Sequence, residues 1–268
     1  MSHQRELRSF IEARRRLFIL TGAGCSTPSG IPDYRDAAGN WKRNQPVTFQ
    51  AFMGAELTRR RYWARSFLGW RRFRHAVPND AHRALARLEA MGKSALLVTQ
   101  NVDRLHQAAG SEGVLDLHGR LDLVRCMACE RRFPRADLHD EFEHLNPDWS
   151  RLEAGDAPDG DADLEGVDFA AFSVPSCRCG GVLKPDVVFY GENVPRDRVE
   201  RAIEALDRAD AVLVVGSSLM VYSGFRFAER AASRGAPIAA VNLGRTRADH
   251  LLALKVEQAC ESALAFLL

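Results

Sequence analysis

Four short, almost wholly apolar runs alternate along the chain with longer segments in which apolar residues recur at helical spacing. The runs cover residues 17–20, 95–99, 212–215 and 238–241. Continuous apolar runs of this length are typical of strands that are buried on both faces of a parallel sheet. Helices are predicted over residues 80–91, with Asn79 or Asp80 as N-cap and Gly92 as C-cap, and over residues 196–208. This alternation predicts an α/β fold with a doubly wound parallel sheet.

Two segments interrupt the alternation. Residues 40–78 are rich in arginine and tryptophan, and residues 125–181 carry two close pairs of cysteines. The second segment also contains an acidic stretch, residues 148–168, in which Arg151 is the one basic residue among eight carboxylates. We expect this stretch to be a long surface loop. We therefore predict one domain over 1–268, with a core of residues 1–40, 79–124 and 182–268, a helical module at 41–78 and a second module at 125–181.

The residues that follow the predicted strands are small or polar. The carboxyl ends of parallel strands form the crevice in which open α/β sheets bind their ligands. The first such turn is G-A-G, and a glycine turn lets backbone N–H groups approach a phosphate closely. The dinucleotide fingerprint is incomplete, because Thr27 stands where its third glycine would be. The residues at the four strand ends are Gly22, Ala23 and Gly24; Gln100, Asn101 and Asp103; Gly216, Ser217 and Ser218; and Asn242, Leu243 and Gly244.

Two further features predict chemistry near these turns. Pro32 excludes a regular helix just after the glycine turn, so a loop is expected to bring Asp33 and Arg35 over the crevice. His118, inside L-H-G, can act as a base near neutral pH. By contrast, we expect His106 to be structural and Cys25 to be a small buried side chain.

Six segments carry a resemblance to a known family. In chain order they are GAGCSTPSGIPDYR, TQNVDRLH, LHG, LKPDVVFYGE, VVGSSL and VNLG, and the match runs from about residue 17 to residue 260. Together they resemble the sirtuins, the Sir2 family of NAD-dependent protein-lysine deacylases. The segments RYWARSFLGW and LNPDWS and the acidic insertion resemble the class II branch. The resemblance implies a Rossmann-like core with a smaller zinc-binding and helical module.

The resemblance also implies a reaction and its residues. The acyl group moves from lysine to ADP-ribose and nicotinamide is released, with His118 as general base on the ribose hydroxyls and Asn101 beside the reacting ribose. Two alternatives remain open: a protein mono-ADP-ribosyltransferase, and a non-enzymatic module that binds NAD, zinc and a partner. The residues expected to bind NAD+ are Gly22, Ala23, Gly24, Ser26, Ile31, Asp33, Tyr34, Arg35, Gln100, Asn101, Asp103, Gly216, Ser217, Ser218, Asn242, Leu243, Gly244 and Cys260.

Four cysteines predict a metal site. Cys126-x-x-Cys129 and Cys177-x-Cys179 supply four thiolates, the ligand number of a closed, structural zinc site. The resembled family has such a site, but its second pair is usually C-x-x-C, one residue longer than here. The alternative is four reduced cysteines with weak or lost metal.

Two segments are candidates for substrate contact. Residues 184–191, with Val187, Val188 and Phe189, and the segment at Val221 resemble the two edges between which sirtuins hold a peptide by strand addition. Tyr62 and Arg65 lie three residues apart on one predicted helix face. Class III sirtuins use a Tyr-x-x-Arg pair for acidic acyl groups, so succinyl-like or glutaryl-like substrates are predicted if Arg65 points into the acyl tunnel. The alternative is an arginine-rich solvated face over an aromatic core.

Composition limits the partners and the compartment. The net charge of +2 gives no electrostatic case for nucleic acid or for an acidic membrane. No apolar run approaches the length of a membrane span, and the N-terminal segment lacks the apolar region of a secretory signal. Paired cysteines in such a chain indicate a metal rather than disulfides. We expect a cytoplasmic monomer that acts on acylated-lysine proteins or peptides.

Overall fold

The computed structural model describes residues 2–42, 45–164 and 166–268. Arg43, Asn44 and Glu165, which the sequence analysis placed in the helical module and the acidic stretch, lie outside the described residues. Within the described ranges the strands are β1 Leu17–Thr21, β2 Ser94–Thr99, β3 Val114–Asp116, β4 Gly119–Cys126, β5 Arg132–Pro134, β6 Gly155–Asp156, β7 Ala162–Asp163, β8 Leu183–Val187, β9 Ala211–Val215, β10 Ile238–Val241 and β11 Leu254–Val256. The α-helices in the same ranges are α1 Ser2–Glu12, α2 Phe49–Gly54, α3 Glu56–Phe73, α4 Asp80–Ala90, α5 Leu105–Ala108, α6 Arg135–Leu145, α7 Arg196–Asp207, α8 Tyr222–Ser233 and α9 Cys260–Leu264.

The chain divides into two compact units. The larger comprises residues 1–44, 77–117 and 194–268, and the smaller comprises residues 45–76 and 118–193. The larger unit contains a six-stranded sheet in the order β11-β10-β9-β1-β2-β3, in which every neighbouring pair is parallel. The α/β class and the parallel sheet predicted from the apolar runs are confirmed.

Alternation along β1 shows why the sheet is covered on both faces. Leu17 and Ile19 pack into an apolar cluster with side chains of α1, α4 and α9. Phe18 and Leu20 point to the opposite face and pack with side chains of α7 and α8. Successive side chains of a strand face opposite sides, so a strand that is apolar at every position needs a helical layer on each side.

The predicted helices begin and end close to the expected residues. In α4 the Asn79 side chain accepts hydrogen bonds from the backbone N–H groups of Ala81 and His82, at 2.9 and 3.4 Å. His82 Nδ1 in return accepts the N–H of Asn79 at 3.3 Å, which completes a capping box. Gly92 follows the helix with φ +72°, the left-handed conformation expected of a C-terminal glycine.

The smaller unit has a three-stranded antiparallel sheet, β5-β4-β8, and an aromatic core. Trp63 and Phe67 of α3 are fully buried against Phe142 of α6, with ring centroids 5.4 and 6.1 Å from that of Phe142. The guanidinium of Arg135 is buried in this core, 4.8 Å from the ring centroid of Trp63. Residues 118–124 and 182–193 were predicted to belong to the Rossmann-like core, whereas β4 and β8 pair with each other in the smaller unit.

The acidic stretch differs from the expected surface loop. Its described residues include two short 3-10 turns, Pro147–Arg151 and Pro158–Gly160, and the two-stranded ladder β6–β7. Ala157, Ala162 and Leu164 are buried, with 5%, 2% and 6% of their surface exposed. The prediction of a surface loop was wrong because it rested on the carboxylates alone. The apolar residues between them are buried and pack on α3.

Among the helices that the structure describes, none combines the length and the apolar character needed to cross a membrane.

Candidate active site

The glycine turn after β1 is packed against the turn after β9. The N–H of Gly24 donates to the carbonyl of Gly216 at 2.9 Å. A Cβ at position 22 would lie 2.8 Å from Ser217 Cβ, which is closer than real Cβ atoms approach. Gly216 itself has φ +63°, and a Cβ there would collide with the backbone of Cys25. Glycine is therefore required on both sides of this contact.

A buried hydrogen-bond network joins this turn to the residues after β2. Asn101 Nδ2 donates to the carbonyl of Gly22 at 3.1 Å and to Ser26 Oγ at 3.0 Å. Ser26 Oγ donates in turn to Asp103 Oδ2 at 2.6 Å, and the N–H of Leu105 donates to Asp103 Oδ1 at 2.9 Å. Burial raises the pKa of the Asp103 carboxyl, while the hydrogen bond from Ser26 opposes the rise. The network fixes which end of the Asn101 amide faces the turn.

The remaining strand ends of this unit are also connected. Ser217 Oγ donates to Gln100 Oε1 at 2.6 Å, which joins the turns after β9 and β2. Asn242 Nδ2 donates to the carbonyl of Leu243 at 3.1 Å, and Leu243 is 62% exposed. Cys260 Sγ lies 3.7 Å from the carbonyl of Gly24. The ends of β1, β2 and β9 are thus joined in one connected set of amide, hydroxyl and glycine groups, whereas Asn242 after β10 bonds within its own turn.

The segment after the glycine turn is non-helical at Pro32, as expected. Ile31 is buried, with 6% of its surface exposed. The charged side chains of this loop have partners within the loop itself. Lys42 forms an ion pair with Asp33, and an Arg35 guanidinium nitrogen donates to the carbonyl of Gly39 at 2.7 Å. The rings of Tyr34 and Trp41 meet edge to face at 6.0 Å.

Two buried histidines lie beneath this network. His82 Nε2 is 3.4 Å from Ser26 Oγ, and His106 Nε2 is 2.9 Å from Thr21 Oγ1. Burial lowers the pKa of His82 to about 4 and lowers that of His106 well below its usual range. Both rings are therefore neutral at physiological pH. The structural role expected for His106 agrees with this burial. The contact of His82 with Ser26 was not predicted, because the two residues are 56 positions apart and no motif relates them.

His118 lies in the smaller unit, directly before β4. Its carbonyl accepts the N–H of Val188 at 2.7 Å, so its backbone is joined to the segment that follows β8. Gly119 has φ +85°, and a Cβ there would collide with the carbonyl of Asp186. Glycine at 119 is thus required for the two strands to approach beside His118.

The segment around Val187 and Val188 ends in the aromatic core. Phe189 is 8% exposed and its ring lies 5.1 Å from that of Tyr62. Lys184 is 3% exposed and forms a 3.0 Å ion pair with Glu192, and its ammonium lies 4.5 Å from the ring centroid of Phe189. Burial lowers the pKa of Lys184, and Glu192 opposes the decrease. This ion pair joins the two ends of the segment, since Lys184 precedes it and Glu192 follows it.

Tyr62 and Arg65 have partners of their own in this unit. Tyr62 packs against Phe52 with ring centroids 5.4 Å apart, and burial raises the pKa of its hydroxyl. Arg65 donates two hydrogen bonds to Asp161 of the acidic insertion, at 3.0 and 2.8 Å. The charge expected to bind an acidic acyl group is therefore already paired within the chain. Sequence reasoning missed Asp161 because nothing in its spacing relates it to α3.

The four paired cysteines lie together. Their sulfur atoms are all within 4.8 Å of one another, with Cys126 Sγ 3.5 Å from Cys179 Sγ and Cys129 Sγ 3.8 Å from Cys177 Sγ. Tetrahedral zinc–thiolate bonds of about 2.3 Å place the sulfurs about 3.8 Å apart, so the four side chains fit a zinc ion. Hydrogen bonding from the backbone of Cys129 lowers the pKa of Cys126 to about 6, which favours the thiolate. The shorter C-x-C pair turns through Gly180, whose N–H donates to the carbonyl of Cys177 at 2.7 Å.

The structure thus brings most of the expected NAD residues into one connected set. Amide and hydroxyl groups, with glycines where no Cβ could be placed, suit a dinucleotide lying across the carboxyl ends of β1, β2, β9 and β10. Val221 precedes α8 in the larger unit, and Ser218 follows Ser217 with its carbonyl bonded to the N–H of Arg247 at 2.9 Å.

Comparison with known proteins gives a consistent result. The model of the Sir2 family matches residues 22–223. The chain is 68% identical to a protein of Bradyrhizobium diazoefficiens named NAD-dependent protein deacetylase 2, over 98% of this chain and 96% of that protein. It is 47% identical to the NAD-dependent protein lipoamidase sirtuin-4, mitochondrial, of Bos taurus, over 97% of this chain and 84% of that protein. A solved structure described as "Sir2-p53 peptide-NAD+" superposes with a TM-score of 0.77 at 31% identity, covering 98% of this chain and 96% of that one. The resemblance seen in the sequence is confirmed, and this chain belongs to the Sir2 family.

Proposed function

We propose that this protein removes acyl groups from lysine side chains of proteins and transfers them to the ADP-ribose part of NAD+, with His118 as the general base. As a Sir2-family chain similar to proteins named NAD-dependent protein deacetylases over nearly its whole length, it is an NAD-dependent protein deacylase. The proposal adds which residues of this chain perform each task.

The observation that carries the proposal is the network around Ser26. Asn101, Asp103 and the Gly22 carbonyl are held by direct hydrogen bonds to Ser26 or to one another. Amide and carboxyl groups held in place before the substrate arrives need no reorganisation during the reaction. We assign Asn101 to the reacting ribose, and Asp103 with the backbone of Ile31 to the carboxamide. Ser217, Gln100, Asn242 and Leu243 are assigned to the rest of the dinucleotide.

NAD+ supplies the ADP-ribose that accepts the acyl group, with nicotinamide as the leaving group. His118 takes the proton of a ribose hydroxyl, a task that imidazole performs more often than any other side chain. The N–H of Val188 donates to the His118 carbonyl, which fixes the backbone that carries the imidazole.

The substrate is a protein carrying an acylated lysine. The segment at Val187, Val188 and Phe189 and the segment at Val221 are assigned to its backbone, because strand addition recognises main chain before side chains. Solved relatives described as "Sir2-p53 peptide-NAD+" and "Sir2 bound to acetylated peptide" support this class of partner. We further propose that the chain works as a monomer in the cytoplasm, where its cysteines stay reduced, as all six are here.

Zinc is assigned to Cys126, Cys129, Cys177 and Cys179 as a structural ion. Four sulfur ligands leave no open position for substrate, so the ion stabilises the smaller unit and does not take part in the reaction.

The test is mass spectrometry of an acetylated peptide incubated with the protein and NAD+. Free lysine peptide, nicotinamide and O-acetyl-ADP-ribose support the proposal. A peptide that gains ADP-ribose instead would indicate a mono-ADP-ribosyltransferase, and no consumption of NAD+ would indicate a binding module. A panel of peptides that differ only in the acyl group then identifies the preferred substrate.

A further inference from the structure

Three metal-ligating side chains lie together in the interior of the larger unit, and none belongs to the four-cysteine set. Cys25, His82 and His106 are buried, with 0%, 0% and 1% of their surface exposed. One ligand atom of each lies within 4.8 Å of those of the other two. Thiolate and imidazole are the ligands that zinc selects in proteins.

An unsatisfied nitrogen accompanies this cluster. His106 Nε2 is bonded to Thr21 Oγ1, but His106 Nδ1 is buried and has no hydrogen-bond partner among the described residues. A buried polar atom without a partner destabilises the folded chain. Thr21 Oγ1 donates to Thr99 Oγ1 at 2.8 Å, so His106 Nε2 is the donor to Thr21 and Nδ1 keeps an unused lone pair that a metal ion can accept.

The distances are close to those of a bound ion. Zinc bonds of about 2.0–2.3 Å in a tetrahedral site place ligand atoms about 3.3–3.8 Å apart. Ligand atoms that are up to 4.8 Å apart need to approach one another by at most about 1.5 Å to reach these separations. The three ligands come from the turn after β1, the first turn of α4 and the four-residue helix α5.

We propose that Cys25, His82 and His106 form a second zinc site, and that its occupation inhibits NAD binding. On binding, Zn2+ replaces the thiol proton of Cys25, which is released to solvent, and both imidazoles bind in their neutral form. His82 then gives up the hydrogen bond that its Nδ1 accepts from the Asn79 N–H, either because Nδ1 binds the ion or because the ring proton moves from Nε2 to Nδ1. Three protein ligands leave the fourth position to a water molecule. No redox step is involved.

Inhibition follows from the neighbours of the ligands. Cys25 directly precedes Ser26, and His82 Nε2 is 3.4 Å from Ser26 Oγ. Ser26 is the residue that holds both Asn101 and Asp103. An ion that draws Cys25 and His82 together displaces Ser26 from these bonds. This consequence rests on the proposed function, whereas the zinc site itself does not.

The test counts zinc per chain in the full-length protein after saturation with zinc and transfer to metal-free buffer. We expect about two ions per chain in the wild type, against the single ion of the four-cysteine site. Cys25→Ala should retain about one. Cys260→Ala, which also removes a buried thiol but one outside the cluster, should retain about two. Added zinc should weaken the NAD affinity of the wild type about tenfold, because it fills the second site. The NAD affinity of Cys25→Ala should be the same with and without added zinc.

One ion in the wild type overturns the site, and so does a second ion that persists in Cys25→Ala. If Cys25→Ala does not fold, His106→Gln is measured instead. Cadmium NMR gives a second readout, because an ion bound by one sulfur and two nitrogens resonates apart from one bound by four sulfurs. Zinc binding without loss of NAD affinity overturns the inhibition but not the deacylase function, which the acetyl-peptide assay tests separately.

Discussion

Asp161 holds the guanidinium of Arg65 by a two-bonded ion pair, with Nε to Oδ1 at 3.0 Å and the terminal nitrogen to Oδ2 at 2.8 Å. The insertion thus neutralises the arginine of α3 that the sequence predicts for an acidic acyl group. Two parallel bonds of this kind are specific as well as strong.

Asp161→Asn should therefore shift the acyl preference toward acidic groups. The freed Arg65 can pair with a glutaryl or succinyl carboxylate, so the ratio of kcat/KM for glutaryl-lysine to that for acetyl-lysine should rise about tenfold, as for a gained charged hydrogen bond. Peptide assays with the two acyl groups measure this ratio. The control is the double variant Asp161→Asn with Arg65→Gln, in which the ratio should not rise. An unchanged ratio in Asp161→Asn alone would show that Arg65 does not contact the acyl group.

His118→Ala should abolish turnover while the fold is retained. Loss of a general base lowers rates by about 10²–10⁴-fold. NAD affinity, measured by calorimetry, should change little. His144→Ala, which removes an exposed histidine of the same unit, should keep normal turnover. Substantial residual deacylation by His118→Ala would contradict its role as base.

Gly216→Ala should destabilise the protein far more than Gly235→Ala. Both glycines have positive φ, +63° and +69°, so both substitutions cost about 1–2 kcal/mol from the left-handed backbone. A Cβ at 216 also meets the backbone of Cys25, whereas a Cβ at 235 meets nothing within 4 Å. The excess loss at 216, read from urea unfolding, reports the contact between the two turns. Equal losses would show that the turns can separate without cost.

Stability should fall on acidification because of His82. Its pKa is lowered to about 4 from an ordinary value of 6.5, so the unfolded chain takes up the proton first as pH falls. The stabilisation is complete above pH 6.5 and is lost progressively down to about pH 4, amounting to about 2 kcal/mol between pH 7 and pH 5. Protonation also removes Nδ1 as acceptor of the Asn79 N–H. Denaturant unfolding at the two pH values measures the loss, and His82→Gln should show a smaller one. An equal pH dependence in that variant would assign the effect to other groups.

Removal of the structural zinc should loosen the smaller unit. Cys126 ends β4, so a bound ion connects this strand to the turn at residues 177–181. Cys126→Ser should lose this zinc and about 2 kcal/mol or more of stability, read from metal analysis and thermal unfolding. Full zinc content in Cys126→Ser would refute the site.

The fold of the larger unit could be predicted because its signals are local. Each buried parallel strand is a continuous apolar run, and Asn79 and Gly92 mark the ends of α4 directly. The polar strand ends could be predicted as well, since parallel strands end at one edge of the sheet.

The smaller unit could not be predicted to the same depth. Its strands β4 and β8 pair across more than fifty residues, and no local pattern specifies such a partner. The ion pair of Arg65 with Asp161 spans 96 residues. In the larger unit, the contact of Ser26 with His82 spans 56 residues and was missed for the same reason. These contacts depend on packing, which charge and spacing in the sequence do not reveal.

The hydrogen bond from the Val188 N–H to the His118 carbonyl has a mechanical consequence. The proposed base and the proposed peptide edge are coupled through this one backbone hydrogen bond. The close approach of Gly119 to Asp186 keeps the two segments together. A bound peptide that displaces the backbone of this edge therefore also displaces His118. Substrates that bind the edge in different registers should differ in kcat and not only in KM.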